Sequence, residues 1–185
     1  IKYYIDKAIY LATHGRPGPV WIDVPLDVQA ALIEEENLKE FDPSELEQRS
    51  YTPIEKSVKS VIEKLKTAKR PVFYVGNGLR LAGVVDDFIR IAEKTNIPVV
   101  TAISGHDIIW HDHPLFFGKP GICGDRIGNV MVQNSDLLII LGTRLGIRQI
   151  GYAYEQFAPS AYKIMVDIDA CEMSKPTFTP DMKIH

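Results

Sequence analysis

Five apolar residues in a row, Leu137-Leu138-Ile139-Ile140-Leu141, constrain this chain more than any other stretch. A strand with one wet face alternates apolar and polar side chains. An unbroken run of this length and β-branched content suits a strand buried on both faces, as in parallel sheets. The run stops at Gly142 and is followed by Thr143, Arg144 and Arg148. In open parallel sheets ligands bind just beyond the carboxyl ends of the strands, and guanidinium groups suit a phosphate or pyrophosphate. If the segment is helical, the two arginines, four residues apart, share one side. The competing reading is a solvated loop with two surface arginines.

The rest of the chain sorts around this run. Residues 1–14 predict an amphipathic helix with Tyr4, Ala8, Leu11 and Ala12 at helical spacing. Gly15-Arg16-Pro17-Gly18-Pro19 ends it, and residues 20–24 predict a strand stopped by Pro25. A lone helix and strand cannot bury their apolar faces, so residues 1–30 are expected to be the tail of a preceding domain. The opening Ile1, in place of a Met, leads to the expectation of a start inside a longer protein. Residues 31–52 carry the charge run Glu34-Glu35-Glu36 and the turn signals Asp42-Pro43-Ser44 and Thr52-Pro53, and are expected to be a linker.

A second domain is expected over 53–185. Its first helix starts at Pro53, capped by Thr52, with Ile54, Val58, Val61, Ile62 and Leu65 as the apolar stripe. Strands at 71–75, 97–101, 137–141 and 163–169 alternate with helices at 84–96, 125–134 and 152–157, and residues 170–185 add no final element. With short connections and right-handed crossovers, this alternation specifies an α/β fold. It is a doubly wound, Rossmann-like parallel sheet with helices on both faces.

Composition removes several function classes. A net charge of -3 without a basic stripe gives no footprint for nucleic acid. No apolar run approaches the ~18 residues of a membrane span, and no signal-peptide pattern opens the chain. Cys123 and Cys171 lack CxxC spacing, so a disulfide framework or zinc site is not expected, and a reduced, cytoplasmic setting is.

The strand ends supply the candidate site: Gly76-Asn77-Gly78, Thr101-Ala102-Ile103, Gly142-Thr143-Arg144 and Asp167-Ile168. Glycine admits a ligand close to the backbone, a carboxylate after a parallel strand accepts ribose hydroxyls, and Arg144 and Arg148 neutralise a pyrophosphate. Each glycine taken singly is better read as a turn residue. An ordinary NAD fingerprint fails, because Gly76-Asn77-Gly78-Leu79-Arg80-Leu81 lacks the third glycine, and a stand-alone NAD-dependent enzyme is disfavoured with it. His106, Asp107, His111, Asp112 and His113 raise a metal reading, but their spacing matches no compact site and no metal ligand is assigned. Cys123, between glycines, reads as a reactive thiol or a small buried residue.

At Gly15-Arg16-Pro17-Gly18-Pro19-Val20-Trp21-Ile22-Asp23-Val24-Pro25-Leu26-Asp27-Val28-Gln29 the chain resembles acetolactate synthase-type, thiamine diphosphate-dependent enzymes, whose pyrimidine-binding domain closes on such a stretch. Residues 72–78, 97–99, 121–124, 132–134, 142–148 and 166–172 resemble, in order, the family's central domain of the DHS-like NAD/FAD-binding type. The resemblance implies FAD at Gly76, Asn77, Gly78, Ala102, Ile103, Gly121, Ile122, Cys123, Gly142, Thr143, Arg144, Arg148, Asp167 and Ile168, with Pro120 alongside and, as a weaker match, Asp181-Met182. Three departures stand out: Gly-Asn-Gly for the family's three glycines, Cys123 for a histidine, and Leu145-Gly146-Ile147 where the family places two acids between its arginines.

No catalytic residue is expected in the chain. The family's cofactor-activating glutamate and its diphosphate- and magnesium-binding motif are expected outside it. The resemblance implies a parent that joins a pyruvate-derived two-carbon unit to a 2-oxo acid or other carbonyl acceptor, using thiamine diphosphate and magnesium, as a cytoplasmic homo-oligomer acting on small molecules. The chain alone is expected to be inactive. The alternative is a structural or oligomerisation module of a thiamine-dependent decarboxylase or keto-sugar-modifying carboligase, with no bound nucleotide.

Overall fold

The computed structural model describes residues 1–46 and 51–185. The last part of the expected linker, residues 47–50, lies outside the described residues. The chain divides into two compact units, Ile1–Ser50 and Tyr51–His185.

In the first unit, helix α1 (Lys2–Thr13) is followed by the short helix α2 (Leu26–Gln29). Residues 20–24 do not form the expected strand: among the described residues they belong to no ladder. The stretch expected to be a solvated linker folds back on α1 within this unit. Lys2 bridges Asp6 and Glu40, the Tyr3 hydroxyl donates to Glu45 at 2.8 Å, and Phe41 packs edge-on against Tyr3. None of its described residues is buried.

The second unit is built on five parallel strands: β1 (Pro71–Val75), β2 (Val99–Thr101), β3 (Leu137–Leu141), β4 (Tyr162–Val166) and β5 (Met182–Ile184). Their order is β2-β1-β3-β4-β5, with Phe73 level with both Val99 and Ile139. The apolar run of β3 therefore lies in the middle of the sheet, and its side chains divide between two cores. Leu138 and Ile140 join Val72, Tyr74, Val100 and Met165 on one face. Leu137 and Ile139 join Phe73, Val75, Val99 and Ile164 on the other. Each such buried side chain contributes about 1.5–3 kcal/mol.

Helices α3 (Ile54–Thr67), α4 (Gly78–Leu81) and α5 (Val85–Thr95) cover the second face, through Val61, Leu65, Leu79, Phe88 and Ala92. Helices α6 (Arg126–Gln133) and α7 (Ile147–Ile150) cover the first, through Val132 and Ile150. The chain leaves β1 toward β2 over one face, then returns past β1 to β3 over the other, as right-handed crossovers require. The result is the doubly wound, Rossmann-like α/β domain expected from the alternation.

Several local expectations change. The α3 stripe is rotated: Val61 and Leu65 face the core with buried Ser57, while Ile54, Val58 and Ile62 are exposed. Thr52 does not cap this helix; its backbone N–H donates to the His185 carbonyl and its hydroxyl accepts from the His185 N–H, both at 2.9 Å. No helix runs over 152–157. Gly151, at φ 75°, ends α7, and only a single 3-10 turn follows at Tyr154–Gln156. Strand β4 stops at Val166 rather than 169, because the Asp167 carboxylate accepts the Asp169 N–H and turns the chain. The tail does contain a final element: β5, three residues long, too short to show a period.

Candidate functional site

Because every strand is parallel, the loops after β1, β2, β3 and β4 emerge along one edge of the sheet. The chain runs outward from β1 in one direction and from β3 in the other, so the topological switch point lies between these two strands, where open sheets bind ligands. Gly76, Asn77 and Gly78 stand on one side of it, Gly142 and Thr143 on the other.

Backbone fills that gap. The Gly76 N–H donates to the Leu141 carbonyl and the Gly78 N–H to the Gly142 carbonyl, each at 2.9 Å. A Cβ on Gly76 would lie 2.5 Å from the Thr143 Cβ, and one on Gly78 would lie 2.5 Å from the Gly142 Cα. Gly142 itself takes φ 58°, where a side chain is strained. These three glycines are thus required by loop-to-loop contact, whatever else they touch. Asn77 accepts from Arg80, which also pairs with Asp107, both at 2.5 Å. The carboxyl of Asp107 is held below the usual range by its own backbone N–H and by Arg80. Ala102 is buried, its N–H donating to Val75 at 2.7 Å, and Ile103 is exposed. Thr101, at the end of β2, has a fully buried hydroxyl with no hydrogen-bond partner among the described residues.

The edge beyond β3 is charged and open. The Arg144 side chain is 66% exposed, and its Nε donates to Glu172. Leu145 then plunges into the core at φ 48°, Gly146 is extended, and α7 begins only at Ile147. Arg144 and Arg148 therefore do not share a helical face, contrary to the expectation from their spacing. The left-handed φ of Leu145 interrupts any helix through Arg144. Lys175 donates to the carbonyls of Arg144 and Leu145 and to Glu172, tying the turn to the loop after β4. Burial pushes the Glu172 carboxyl up, but the hydrogen bond and charge of Lys175, and then those of Arg144, outweigh it and hold the group below the usual range.

Gln149 knits the same turn. It accepts from the Gly146 N–H at 2.9 Å and donates to Thr143 Oγ1 at 3.0 Å and to the Tyr74 hydroxyl at 3.2 Å. Burial pushes the Tyr74 hydroxyl pKa up, against the smaller effect of Gln149. Gly121 is clasped by Asn129, which accepts from its N–H and donates to its carbonyl. The Ile122 N–H donates to the Arg148 carbonyl at 2.8 Å, so Gly121, Ile122 and Cys123 lie beside α7, the last two exposed. A cleft of about 220 Å³ opens here, lined by Pro120, Ile122, Gln133, Gln149 and Phe157.

Asp167 and Ile168 sit on the same edge beyond β4, the Asp167 carboxylate accepting from Asp169 at 2.9 Å. Asp181 does not. It precedes β5 and exchanges hydrogen bonds with the backbone of Lys163 at the start of β4, on the opposite edge. The His106–His113 stretch is dispersed: Asp107 pairs with Arg80, His113 with Glu93 at 3.3 Å, and His111 packs on Phe116. Among the described residues no group of three or more His, Cys, Asp or Glu could hold a metal ion. Sequence reasoning missed Glu172, Lys175, Asn129 and Gln149 as site residues. No motif marks them, and only the i,i+3 spacing of Glu172 and Lys175 hints at a pair.

A five-stranded parallel sheet with a glycine- and arginine-bearing carboxyl edge defines a doubly wound α/β domain of the kind that carries nucleotide sites. Residues 58–185 match the family described as thiamine pyrophosphate enzyme, central domain, and the chain belongs to that family. It is similar to acetolactate synthase isozyme 1 large subunit of Escherichia coli (strain K12), at 39% identity over 92% of this chain and 29% of the relative. It is also similar to a probable acetolactate synthase large subunit of Methanococcus aeolicus, at 36% identity over 91% of the chain and 28% of the relative. A third relative is the acetolactate synthase large subunit of Corynebacterium glutamicum, at 36% identity over 95% and 28%. The chain spans less than a third of the length of these relatives. Among the described residues no helix is long and apolar enough to cross a membrane.

Proposed function

We propose that this chain is the central domain of an acetolactate synthase-like enzyme and that the carboxyl edge of its sheet binds FAD. The observation carrying the nucleotide reading is Arg144, exposed at the edge with its Nε held by Glu172. The neighbouring groups fit such a ligand. Asp167 stands at a strand end, where a carboxylate can accept ribose hydroxyls, and the 220 Å³ cleft beside Ile122 suits a planar ring. Arg148, Ala102, Ile103, Gly121 and Cys123 complete the proposed surround. FAD has no net redox part in the main reaction of the enzymes this chain resembles, so its role here is structural.

The whole enzyme would join a pyruvate-derived two-carbon unit to a 2-oxo acid or other carbonyl acceptor. Thiamine diphosphate supplies that carbon–carbon chemistry, and it and magnesium would be held by residues outside this chain. On this reading the 185 residues are not catalytic alone, and the enzyme is a cytoplasmic homo-oligomer acting on small molecules. The test is purification of the full-length protein and an assay of acetolactate formation from pyruvate with thiamine diphosphate and magnesium. Co-purifying flavin and acetolactate formation are expected; an active protein indifferent to FAD would refute the flavin half of the reading.

One observation favours a second reading, a structural module with no nucleotide, in a decarboxylase or keto-sugar carboligase. The glycines at the switch point are already consumed by the contact between the β1 and β3 loops.

A further inference from the structure

The segment between the two arginines, Leu145-Gly146-Ile147, contains no acid. An acid reaches Arg144 instead from the loop after β4. Glu172 is 7% exposed, yet it is a carboxylate, and such a group is buried only when its charge is answered. Its answer comes from both sides: Oε1 accepts from Arg144 Nε, and Oε2 lies 3.2 Å from Lys175 Nζ.

The roles within this trio are unequal. Lys175 has three N–H donors, and all three have acceptors: the carbonyls of Arg144 and Leu145, and Glu172. It is also largely covered, with its side chain 20% exposed. It therefore fixes the backbone of the turn, including the buried Leu145 at φ 48°, and is not available to a ligand. Arg144 has five donors, and the bond to Glu172 uses the one on Nε. A bond at Nε fixes the direction of the planar guanidinium and leaves its two terminal nitrogens as donors, and Arg144 is the most exposed member of the trio. A mobile arginine must give up side-chain entropy to grip an anion, whereas an anchored one has already done so.

We propose that Glu172 is a positioning residue. From the β4 loop it holds Arg144 as a preset fork for the phosphate or pyrophosphate of a nucleotide, while Lys175 fixes the turn beneath. This deepens the nucleotide reading above and rests on it. Glu172 does not touch the ligand; it acts through Arg144.

The test is a binding series on the full-length protein, with FAD, ADP and riboflavin as probes, for the wild type, Arg144→Ala, Glu172→Gln and the double variant. Glu172→Gln keeps the shape and removes the charge. FAD and ADP are expected to bind roughly five- to tenfold more weakly in Glu172→Gln, with riboflavin, which lacks the pyrophosphate, unchanged. The double variant is expected to bind no worse than Arg144→Ala, because the glutamate has nothing left to position. Should Glu172→Gln fold poorly, Arg144→Lys replaces it, since it keeps a cation but lacks Nε; the same selective loss is expected. Equal weakening of riboflavin and ADP, or additive losses in the double variant, would show a merely structural glutamate and overturn the proposal. Binding lost in Arg144→Ala but intact in Glu172→Gln and Arg144→Lys would overturn it while leaving the nucleotide reading in place. Full binding in Arg144→Ala, or none in the wild type, would remove both.

Discussion

Two parts of one sheet edge use opposite physics. Between β1 and β3 the loops touch backbone to backbone, and Gly76, Gly78 and Gly142 are there because a Cβ has no room. Between β3 and β4 the loops are joined by side chains, through Arg144, Glu172 and Lys175, and Arg144 stays exposed. The first contact is closed, neutral and dependent on the absence of atoms. The second is open, charged and dependent on specific atoms. The difference teaches that glycine at a strand end is weak evidence for a ligand, whereas a buried acid that anchors an exposed arginine is stronger evidence.

The largest effect is expected on the closed side. Gly142→Ala must accept φ 58° and a Cβ 2.7 Å from the Gly78 Cα. A loss of about 3 kcal/mol is expected in denaturant unfolding; a variant as stable as the wild type would break the claim that this contact is tight. On the open side, Arg144→Ala should cost only about 1 kcal/mol of stability, because its guanidinium is largely hydrated and Lys175 still faces Glu172. A loss as large as that of Gly142→Ala would mean that the two sides are not different in kind.

The next effect is on pH. The folded-state pKa of Glu172 is lowered, so its stabilisation is fully present above the ordinary carboxylate value near 4.5 and is lost as pH falls through the folded value. Melting temperatures followed from neutral to acid pH should therefore fall less steeply in Glu172→Gln than in the wild type; superimposable acid limbs would contradict this. The smallest effect is at Thr101→Val, which removes a buried hydroxyl without a partner among the described residues. A gain of up to about 1 kcal/mol is expected. A loss would indicate that the hydroxyl has a partner in solution.

Much of the sheet was legible because its signal is contiguous. Strand β3 coincides with the apolar run, and Pro71–Val75 with its predicted strand. The misplaced pieces have particular causes. Residues 20–24 have strand composition, but pairing needs a neighbour, which composition does not encode. Strand β5 is short and takes its place from the ladder with β4. The strand-end list was legible from parallel topology alone, since it asks only where strands stop. The Arg144 anchor was not. Glu172 lies 28 residues away, and only the register of β3 against β4 brings their loops together. The shared helical face assigned to Arg144 and Arg148 failed for a related reason: spacing alone does not reveal that Leu145 is drawn into the core.

The most direct test of the nucleotide site is a fluorescence titration of the full-length protein with FAD, wild type beside Arg144→Ala. Saturable binding, weakened by about tenfold or more in the variant, is the predicted result, in line with loss of a charge-assisted contact of about 1.5–3 kcal/mol. Equal binding by the two proteins, or none by the wild type, would contradict a nucleotide site at this edge.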